Sequence, residues 1–375
     1  MGKDDTEVVT ARPFIHQVGG RAVMLEISPG TICKLYNDRE FQFYENIPEY
    51  LKEFTPHYKG LVSVKCNYDD ATPTFRAEVP GYILRNSRGD PSCQHESRAK
   101  LKEVKTGLAN WSMLCIKRDI KSRGVWSDHD YIMLENLVGS LRMPCILDLK
   151  IGTKQTGDDT SEEDKKLREH RSANSTSGTL GIRLSGMHMY QMESDNYLSH
   201  NKHYGWTLDE AGLRQVLRQF FYNCCITNVR REVTRIISKL HRLHSILSTQ
   251  DLHYFFGSSL LLFYDGYKNN RPCDGQLNDA NAFSAANTDQ SAEDLNEYSS
   301  CDQKGDRREE RSCVKEHCRT ECSCETGKAD IRLIDFGRTV LKSDMKERSY
   351  GVEFEEGVLF GLANLINILQ SIIDS

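Results

Sequence analysis

The sequence lacks a strong excess of charge, a long apolar run and an amino-terminal signal stretch. Its 375 residues include 49 Lys and Arg against 54 Asp and Glu, a net charge of −5. The surface as a whole therefore does not favour a polyanionic partner such as nucleic acid, and any phosphate site must be a local basic patch. Because we find no apolar run that reads as a membrane span, and Met1–Asp5 is polar, we predict no membrane insertion.

The cysteines lack the spacing of a disulfide framework. There are thirteen, dispersed along the chain, and Cys33, Cys115 and Cys145 lie inside apolar runs. This usage is typical of reduced thiols in an intracellular protein, so we expect a cytoplasmic or nuclear location. The cluster within 313–324 could supply zinc ligands together with His317, but its spacing matches no pair of C-x-x-C motifs.

Composition divides the chain into four parts. Residues 1–11 are polar, and we predict that they are disordered. A β-rich amino-terminal lobe is predicted over 12–134, with an irregular, variable insertion at 67–110. A carboxy-terminal lobe is predicted over 135–375. Within it, residues 266–329 contain no Ile and a single Val, so we predict a disordered excursion there.

Short apolar runs in the first third predict paired strands and one helix. Val23–Ile27 and Thr31–Leu35 could pair across the turn that contains Pro29 and Gly30. Lys34 would then lie at a strand end, where it could reach nucleotide phosphates or remain an exposed strand lysine. A helix is predicted over Arg39–Glu45.

The stretch Pro144–Gly152 combines a buried strand pattern with two opposite charges. Asp148 and Lys150 are two residues apart, and alternate side chains of a strand point to the same face. Such a pair could orient a hydroxyl and neutralise a phosphoryl group in transfer, or it could be a salt bridge at a strand edge.

Two further stretches strengthen the chemical interpretation. Tyr131–Val138 reads as a strand leading into a hinge, and Ile331–Ile334 is a short apolar strand followed by Asp335-Phe336-Gly337. A strand, a hinge and an Asp-Phe-Gly motif in this order are the parts of a kinase-like ATP site. The three elements together predict phosphoryl transfer.

The motifs resemble those of the inositol polyphosphate kinases. The signature P-x-x-x-D-x-K-x-G is complete at 144–152, and Ser258–Leu261 and Ile334–Phe336 are similar to two other signature elements of that family. The hexakisphosphate kinase branch is the most similar, through the segments Phe14–Gly20, Thr31–Lys34, Glu53–Pro56, Gly152–Asp159 and Ser175–Ser177. The resemblance covers roughly residues 12–66, 126–266 and 330–374.

This resemblance implies an α+β, two-lobed, kinase-like fold of the ATP-grasp or protein-kinase type. The smaller lobe is β-rich and the larger lobe is α+β. It implies ATP as donor and Mg²⁺ as metal, which Asp335 and Ser259 would hold. Lys34 would contact the nucleotide phosphates, and backbone groups at Glu135 and Leu137 would bind adenine.

The resemblance also implies an inositol phosphate acceptor, inositol hexakisphosphate in the most similar branch. Lys150 would bridge the transferred group and the acceptor, while Asp148 would orient a hydroxyl of either the ribose or the inositol. Because the acceptor is strongly anionic, its pocket must be basic. The candidate residues for that pocket are Lys150, Lys154, Lys165, Lys166 and Arg183.

One position departs from the hexakisphosphate pattern. Gly337-Arg338 stands where that branch usually has Ala-His, and a glycine followed by a basic residue resembles the trisphosphate 3-kinase branch. A multikinase or 3-kinase acting on less phosphorylated inositols is therefore the alternative. A non-catalytic inositol-phosphate-binding scaffold is disfavoured by the intact Lys150, Asp335 and Ser259. A protein kinase is disfavoured because no His-Arg-Asp loop is present.

Overall fold

Six short strands with alternating apolar residues close into a barrel. The computed structural model describes residues 6–20, 22–69, 72–85, 128–156, 160–223, 229–267, 329–345 and 348–375. Around the barrel the strand order is β1-β2-β3-β6-β4-β5. These strands are β1 (Thr6–Pro13), β2 (Leu25–Ser28), β3 (Thr31–Leu35), β4 (Tyr58–Asp69), β5 (Thr72–Pro80) and β6 (His129–Glu135).

The barrel confirms the predicted pairing of the lysine-bearing strand. β2 and β3 are antiparallel, with Leu25 opposite Cys33. On its other side β3 pairs with β6, so that Lys34 lies opposite Ile132. Aliphatic and aromatic side chains fill the barrel with almost no exposed surface, as expected for a packed interior. They include Leu25, Cys33, Phe75, Val79 and Tyr131.

The second sheet has five antiparallel strands in the order β12-β11-β7-β8-β9. They are β7 (Pro144–Ile151), β8 (Ile182–Gln191), β9 (Asn196–His200), β11 (Ser259–Asp265) and β12 (Asp330–Ile334), and a separate pair is formed by β10 (His253–Phe255) and β13 (Thr339–Leu341). Leu260 lies opposite Leu333, so β11 and β12 are antiparallel neighbours on either side of residues 266–329. β7 is central and buried at nearly every position, which explains its continuous apolar pattern.

Nine helices are described in the resolved ranges. They are α1 (Asp38–Glu45), α2 (Glu49–Lys52), α3 (Gly81–Arg85), α4 (Glu162–Ala173), α5 (Thr176–Leu180), α6 (Lys202–Thr207), α7 (Glu210–Phe221), α8 (Val229–Thr249) and α9 (Arg348–Asp374). The helix predicted over Arg39–Glu45 is α1, begun by an Asn37 cap whose side chain accepts from Glu40 N.

The carboxy-terminal helix corrects one prediction. By length and composition Val352–Asp374 could cross a membrane, with a mean hydropathy of 1.5, although the sequence was expected to contain no such run. In the fold 56% of that stretch is buried, and Leu362, Leu365 and Leu369 belong to the same core as the five-stranded sheet. An apolar stripe of this kind is what a core helix needs to pack.

Three regions differ from the predicted organisation or lie outside it. Residues 6–11 were predicted to be disordered, but they pair with β5, with Thr6 opposite Pro80. Of the irregular insertion predicted at 67–110, the described residues 67–69 and 72–85 instead complete β4 and form β5 and α3, and residues 86–110 lie outside the described ranges. The polar composition of this stretch suggested irregular structure, but barrel strands with one face toward solvent are half polar as well. Most of the 266–329 excursion, including its cysteines, lies outside the described residues. The α+β class holds, whereas the two-lobed kinase-like description stays a prediction.

Candidate active site

Sheet register brings four of the candidate residues into one row. Lys150 on β7 lies opposite Arg183 on β8. On its other side Lys150 lies opposite Ser259 on β11, and Ser259 lies opposite Ile334 on β12. Asp335 follows directly after β12. Residues that are far apart in the sequence thus meet because the ladder fixes which positions face each other.

Asp335 is the point at which the charges converge. Its Oδ1 accepts from Lys34 Nζ at 2.7 Å and its Oδ2 from Lys150 Nζ at 3.2 Å. Burial alone would raise the pKa of Asp335, but Lys34 and Lys150 hold it well below its usual range. The residue has a φ of 67°, a left-handed conformation that is costly for a side chain other than glycine and is found at functional sites. Ser258 Oγ donates to its carbonyl at 3.0 Å.

Glu40 is a member of this cluster that the sequence interpretation missed. It lies on α1, is 2% exposed, and its Oε1 accepts from Lys34 Nζ at 2.7 Å and from Phe336 N at 3.2 Å. Burial lowers the pKa of Lys34, but Asp335 and Glu40 together raise it above its usual value. A lysine on a barrel strand paired with a glutamate on the following helix is the arrangement that orders the phosphate-binding lysine in protein kinases. The available signal was a glutamate six residues after Lys34 in a predicted helix.

Asp148 is buried beside Lys150, as the strand alternation predicted. Its Oδ1 has no hydrogen-bond partner in the described chain. Burial raises the pKa of Asp148 to about 6, Lys150 acts in the opposite direction, and Asp335 adds to the rise. A buried carboxyl with an unsatisfied oxygen is suited to bind a ligand hydroxyl.

The segment 14–20 packs directly over the Asp148 carboxylate, and at Gly19 there is no space for a side chain. A Cβ at Gly19 would lie 2.7 Å from Asp148 Oδ2, and one at Gly186 would lie 2.1 Å from Val18 O. Gln17 holds the segment in place, since its Nε2 donates to Gly19 O and its Oε1 accepts from Met24 N. Close approach of backbone to the site therefore excludes side chains at these positions.

The predicted hinge leaves one backbone donor available. Glu135 N donates to His57 O at 2.8 Å and Asn136 N to Gly30 O at 3.0 Å. Val138 N donates to Asn136 Oδ1. Within the described residues Leu137 N makes no hydrogen bond, so this group could donate to an adenine edge. The adenine roles of Glu135 and Leu137 stay predictions.

The basic candidates for the acceptor side divide into two groups. Arg183 lies opposite Lys150 in the sheet, close enough to Asp148 for their charges to interact. Lys154 follows β7 and forms an ion pair with Glu353. Lys165 and Lys166 lie on α4, where Lys165 is 4.0 Å from Glu162 of the same helix and Lys166 is exposed. The ion pairs of Asp335 involve none of the last three.

The residues predicted to bind metal have suitable chemistry. Ser259 Oγ is buried and makes no hydrogen bond of normal length, although it is near enough to Asp148 to lower the pKa of that carboxyl. The Asp335 side chain is one-third exposed. Carboxylate and hydroxyl oxygens are ligands that a hard divalent cation accepts. In the described ranges no three His, Cys, Asp or Glu residues form a metal-binding group. Asp335 and Ser259 would supply two oxygen ligands, and phosphate oxygens and water could supply the others.

Comparison with known proteins agrees with this geometry. The family model described as inositol polyphosphate kinase matches residues 131–370. Inositol hexakisphosphate kinase 1 of Homo sapiens is 31% identical over 98% of this chain and 94% of its own length. Inositol hexakisphosphate kinase 2 of Rattus norvegicus is 30% identical over 98% of this chain and 96% of its own.

A solved structure shares the fold at lower identity. It is the inositol phosphate multikinase of S. cerevisiae in complex with ADP and Mn²⁺, which is 17% identical. The alignment covers 91% of this chain and 98% of that one, with a TM-score of 0.51. A family model that spans most of the chain, relatives that span nearly all of it, and a charge cluster suited to phosphoryl transfer lead to one conclusion. The chain belongs to the inositol polyphosphate kinase family and is an inositol phosphate kinase.

Proposed function

We propose that this enzyme transfers the γ-phosphoryl group of ATP to inositol hexakisphosphate, with Mg²⁺, to make a diphosphoinositol polyphosphate. The observation that carries the acceptor assignment is the similarity to inositol hexakisphosphate kinases over 98% of the chain. The convergence of Lys34 and Lys150 on Asp335 supports the transfer chemistry. ATP and a divalent cation are supported by the charge of this cluster and by the unsatisfied Ser259 hydroxyl.

The reaction breaks the bond between the γ-phosphorus and the oxygen that bridges to the β-phosphate, and it forms a bond to an acceptor phosphate oxygen. An acceptor phosphate arrives as an anion, so no side chain has to remove a proton. What the site must supply is alignment and positive charge. Lys34 lies on the nucleotide side, and Lys150 lies where the transferred group would pass between donor and acceptor. Asp148 would accept a hydrogen bond from a ribose hydroxyl, because inositol hexakisphosphate has no free hydroxyl; an inositol hydroxyl would be available only in a less phosphorylated acceptor.

Magnesium held by Asp335 and Ser259 would neutralise charge on the nucleotide phosphates. In the free protein the two lysines compensate the Asp335 carboxylate instead. Lys34 has Glu40 as a second partner, so its position would not depend on Asp335 alone.

Two measurements test the proposal. The first is turnover on a panel of inositol phosphates with purified protein, ATP and Mg²⁺. Inositol hexakisphosphate is expected to have the highest kcat/KM. A clear preference for a less phosphorylated inositol would overturn the acceptor assignment.

The second measurement is a Mg²⁺ titration of Asp335→Asn, with the exposed Asp344→Asn as the matched control. The amide keeps an oxygen ligand but loses the negative charge of the carboxylate, so it holds a hard cation more weakly. We expect Asp335→Asn to have lost Mg²⁺-dependent turnover while nucleotide binding through the hinge persists. Parental activity across the titration would show that the metal is held elsewhere.

The alternative acceptor is a less phosphorylated inositol, and one observation favours it. Arg338, where the hexakisphosphate branch usually has His, donates from Nη1 to Gln155 O at 3.2 Å. It thus contacts the loop that follows the catalytic strand and carries Lys154. A changed side chain at this place would alter the acceptor side and leave the Asp335 cluster intact.

A further inference from the structure

Two arginines from different elements contact one indole ring beside the strand position that faces Lys150. The Arg171 Cζ, on α4, lies 5.4 Å from the centre of the Trp206 ring. The Arg183 Cζ, on β8, lies 5.5 Å from the same centre. The two Cζ atoms are therefore no farther apart than the sum of these two distances. Because Arg183 lies opposite Lys150 in the sheet, positive charge continues from the reacting lysine outward to Arg171.

These two arginines differ in their partners from the basic residues Arg235 and Lys239 of α8. On α8, Arg235 pairs with Glu232 and Lys239 with Asp330. In the described chain no carboxylate lies within 4 Å of Arg171 or Arg183. Asp148 interacts with Arg183 beyond 4 Å, but it also compensates Lys150. A bound anion would therefore still reduce the repulsion between the two guanidinium groups.

The ring that holds the arginines stands on a rigid support. Trp206 lies on α6, which is pressed against β8 so closely that a Cβ at Gly205 would be 1.9 Å from Leu184 O. Arg183 Nη1 also donates to Leu184 O at 3.3 Å. Contact with an aromatic face attracts a guanidinium and leaves its N–H edge free for phosphate oxygens.

We propose that Trp206 is a positioning residue that holds Arg171 and Arg183 as a paired binding site for acceptor phosphates. This inference rests on the proposed function, because it takes the acceptor to be an inositol polyphosphate. The indole sets the separation and orientation of the two arginines, and the arginines contact the phosphates. Arg171 is thereby added to the acceptor side. The cluster determines how tightly a highly phosphorylated ring is bound and takes no part in the transfer itself.

The test is steady-state kinetics of Trp206→Leu, Trp206→Phe and Arg171→Gln in the full chain. Loss of a charge-assisted phosphate contact should raise the KM for inositol hexakisphosphate by about tenfold in Trp206→Leu and Arg171→Gln. The KM for ATP should stay within about twofold, since Lys34 and the hinge are untouched. Trp206→Phe keeps an aromatic face and should restore most of the acceptor affinity.

A matched control exists at the far end of α7. Arg218 lies 5.1 Å from the Tyr222 ring centre in the same kind of contact, so Tyr222→Leu should leave both KM values unchanged. Arg171 is exposed, and its Gln variant should fold even if Trp206→Leu does not. An unchanged acceptor KM in Arg171→Gln, or equal rises in both KM values, overturns the proposal.

Fluorescence gives a second readout without turnover. The chain has three tryptophans, Trp111, Trp126 and Trp206. Adding inositol hexakisphosphate without nucleotide should change the emission of the parent protein, and this change should be absent in Trp206→Phe. Tripolyphosphate, a linear anion, should cause a smaller change at equal concentration. A change that persists in Trp206→Phe contradicts the assignment.

Failure of this inference can be separated from failure of the proposed function. If the parent enzyme prefers a less phosphorylated inositol, the acceptor assignment fails. The cluster is still supported if Trp206→Leu selectively raises the KM for that acceptor. If the parent turns over inositol hexakisphosphate and neither variant changes its KM, the cluster alone is refuted.

Discussion

At the scale of single residues, the site is a balance of charges around the Asp335 carboxylate. Lys34 and Lys150 each form an ion pair with one of its oxygens, and Lys34 also pairs with Glu40. In the free protein each charge of this network has an opposite partner. Phosphate oxygens could replace a carboxylate as the partner of a lysine, and a metal ion could replace a lysine as the partner of Asp335. It can therefore bind charged ligands without leaving a buried charge uncompensated.

Lys150→Ala is expected to abolish transfer and leave the fold intact. Lys150 Nζ donates to Gly257 O and Asp335, and its side chain is 21% exposed, so no core is opened. Losing a transition-state charge contact should lower turnover by about 100-fold or more. The measurements are kcat and the melting temperature. Lys65→Ala, which breaks an exposed ion pair with Glu78, serves as control. More than about a tenth of parental turnover in Lys150→Ala would contradict the role.

Asp148 predicts a pH dependence of activity. Its pKa is raised to about 6, chiefly by burial. Above that pH the ionised carboxylate can accept a bond from a substrate hydroxyl, and below it the protonated group accepts poorly. We expect kcat/KM, which reports the free enzyme, to fall as the pH drops through about 6. In Asp148→Asn this acid limb should be absent, with activity low at every pH. An identical limb in the variant would assign it to another group.

The same group affects stability with a definite sign. Because the pKa in the folded protein lies above the ordinary 3.8, the folded state binds more protons between about pH 4 and 6. The free energy of unfolding should therefore decrease as the pH rises through this window. Asp148→Asn should lack this slope in denaturant titrations made at several pH values.

At the scale of elements, α1 connects the barrel to the Asp-Phe-Gly turn. Asn37 caps the helix, Glu40 accepts from Phe336 N, and the Phe43 ring stacks on that of Phe336 with centroids 3.9 Å apart. The position of this helix thus determines whether Lys34 and Asp335 meet.

Glu40→Gln tests this connection. The amide can still accept from Phe336 N but lacks the charge that holds Lys34, and Glu40 is buried. We expect turnover to drop by at least about tenfold, with a loss of about 1–3 kcal/mol in stability from the altered buried bond. The exposed Glu45→Gln on the same helix is the control. Equal kinetics in the two variants would show that Glu40 only supports packing.

At the scale of the whole molecule, the connection between β11 and β12 is fastened at both ends. Asp265 accepts from Arg142 N and Met143 N where β11 ends. Ala329 N donates to Glu232 Oε2 at 3.0 Å just before β12 begins. Both anchors lie outside the 268–328 segment, so the hairpin does not depend on it for these contacts.

Replacing residues 268–328 with a short Gly/Ser turn should preserve both stability and turnover. Phe263 lies opposite Asp330, so the two strand ends are neighbours. Closure entropy changes only logarithmically with loop length, and the expected change in stability is no more than about 1–2 kcal/mol. Melting temperature, turnover on inositol hexakisphosphate and bound zinc are the measurements. Unfolding of the shortened protein, or a loss of zinc, would show that the segment has a structural role.

Much of the site could be predicted from the sequence because its chemistry follows local patterns. Strand alternation in 144–152 placed Asp148 and Lys150 side by side, and the apolar strand before Asp335 marked the second acidic position. The strand pairing β2–β3 followed from the short apolar runs and from the turn residues between them. These features depend on neighbours within a few positions, which a sequence displays directly.

Only the tertiary structure decided which charges meet. Lys34 and Asp335 are 301 positions apart, and Glu40 and Phe336 are 296 apart; no local pattern relates them. On α8, Arg235 and Lys239 are compensated by Glu232 and Asp330, whereas Arg171 on α4 contacts an indole. Coulomb energy depends on distance in space and on burial. The sequence therefore determined which groups this protein has, and the fold determined which of them are left to bind a phosphate.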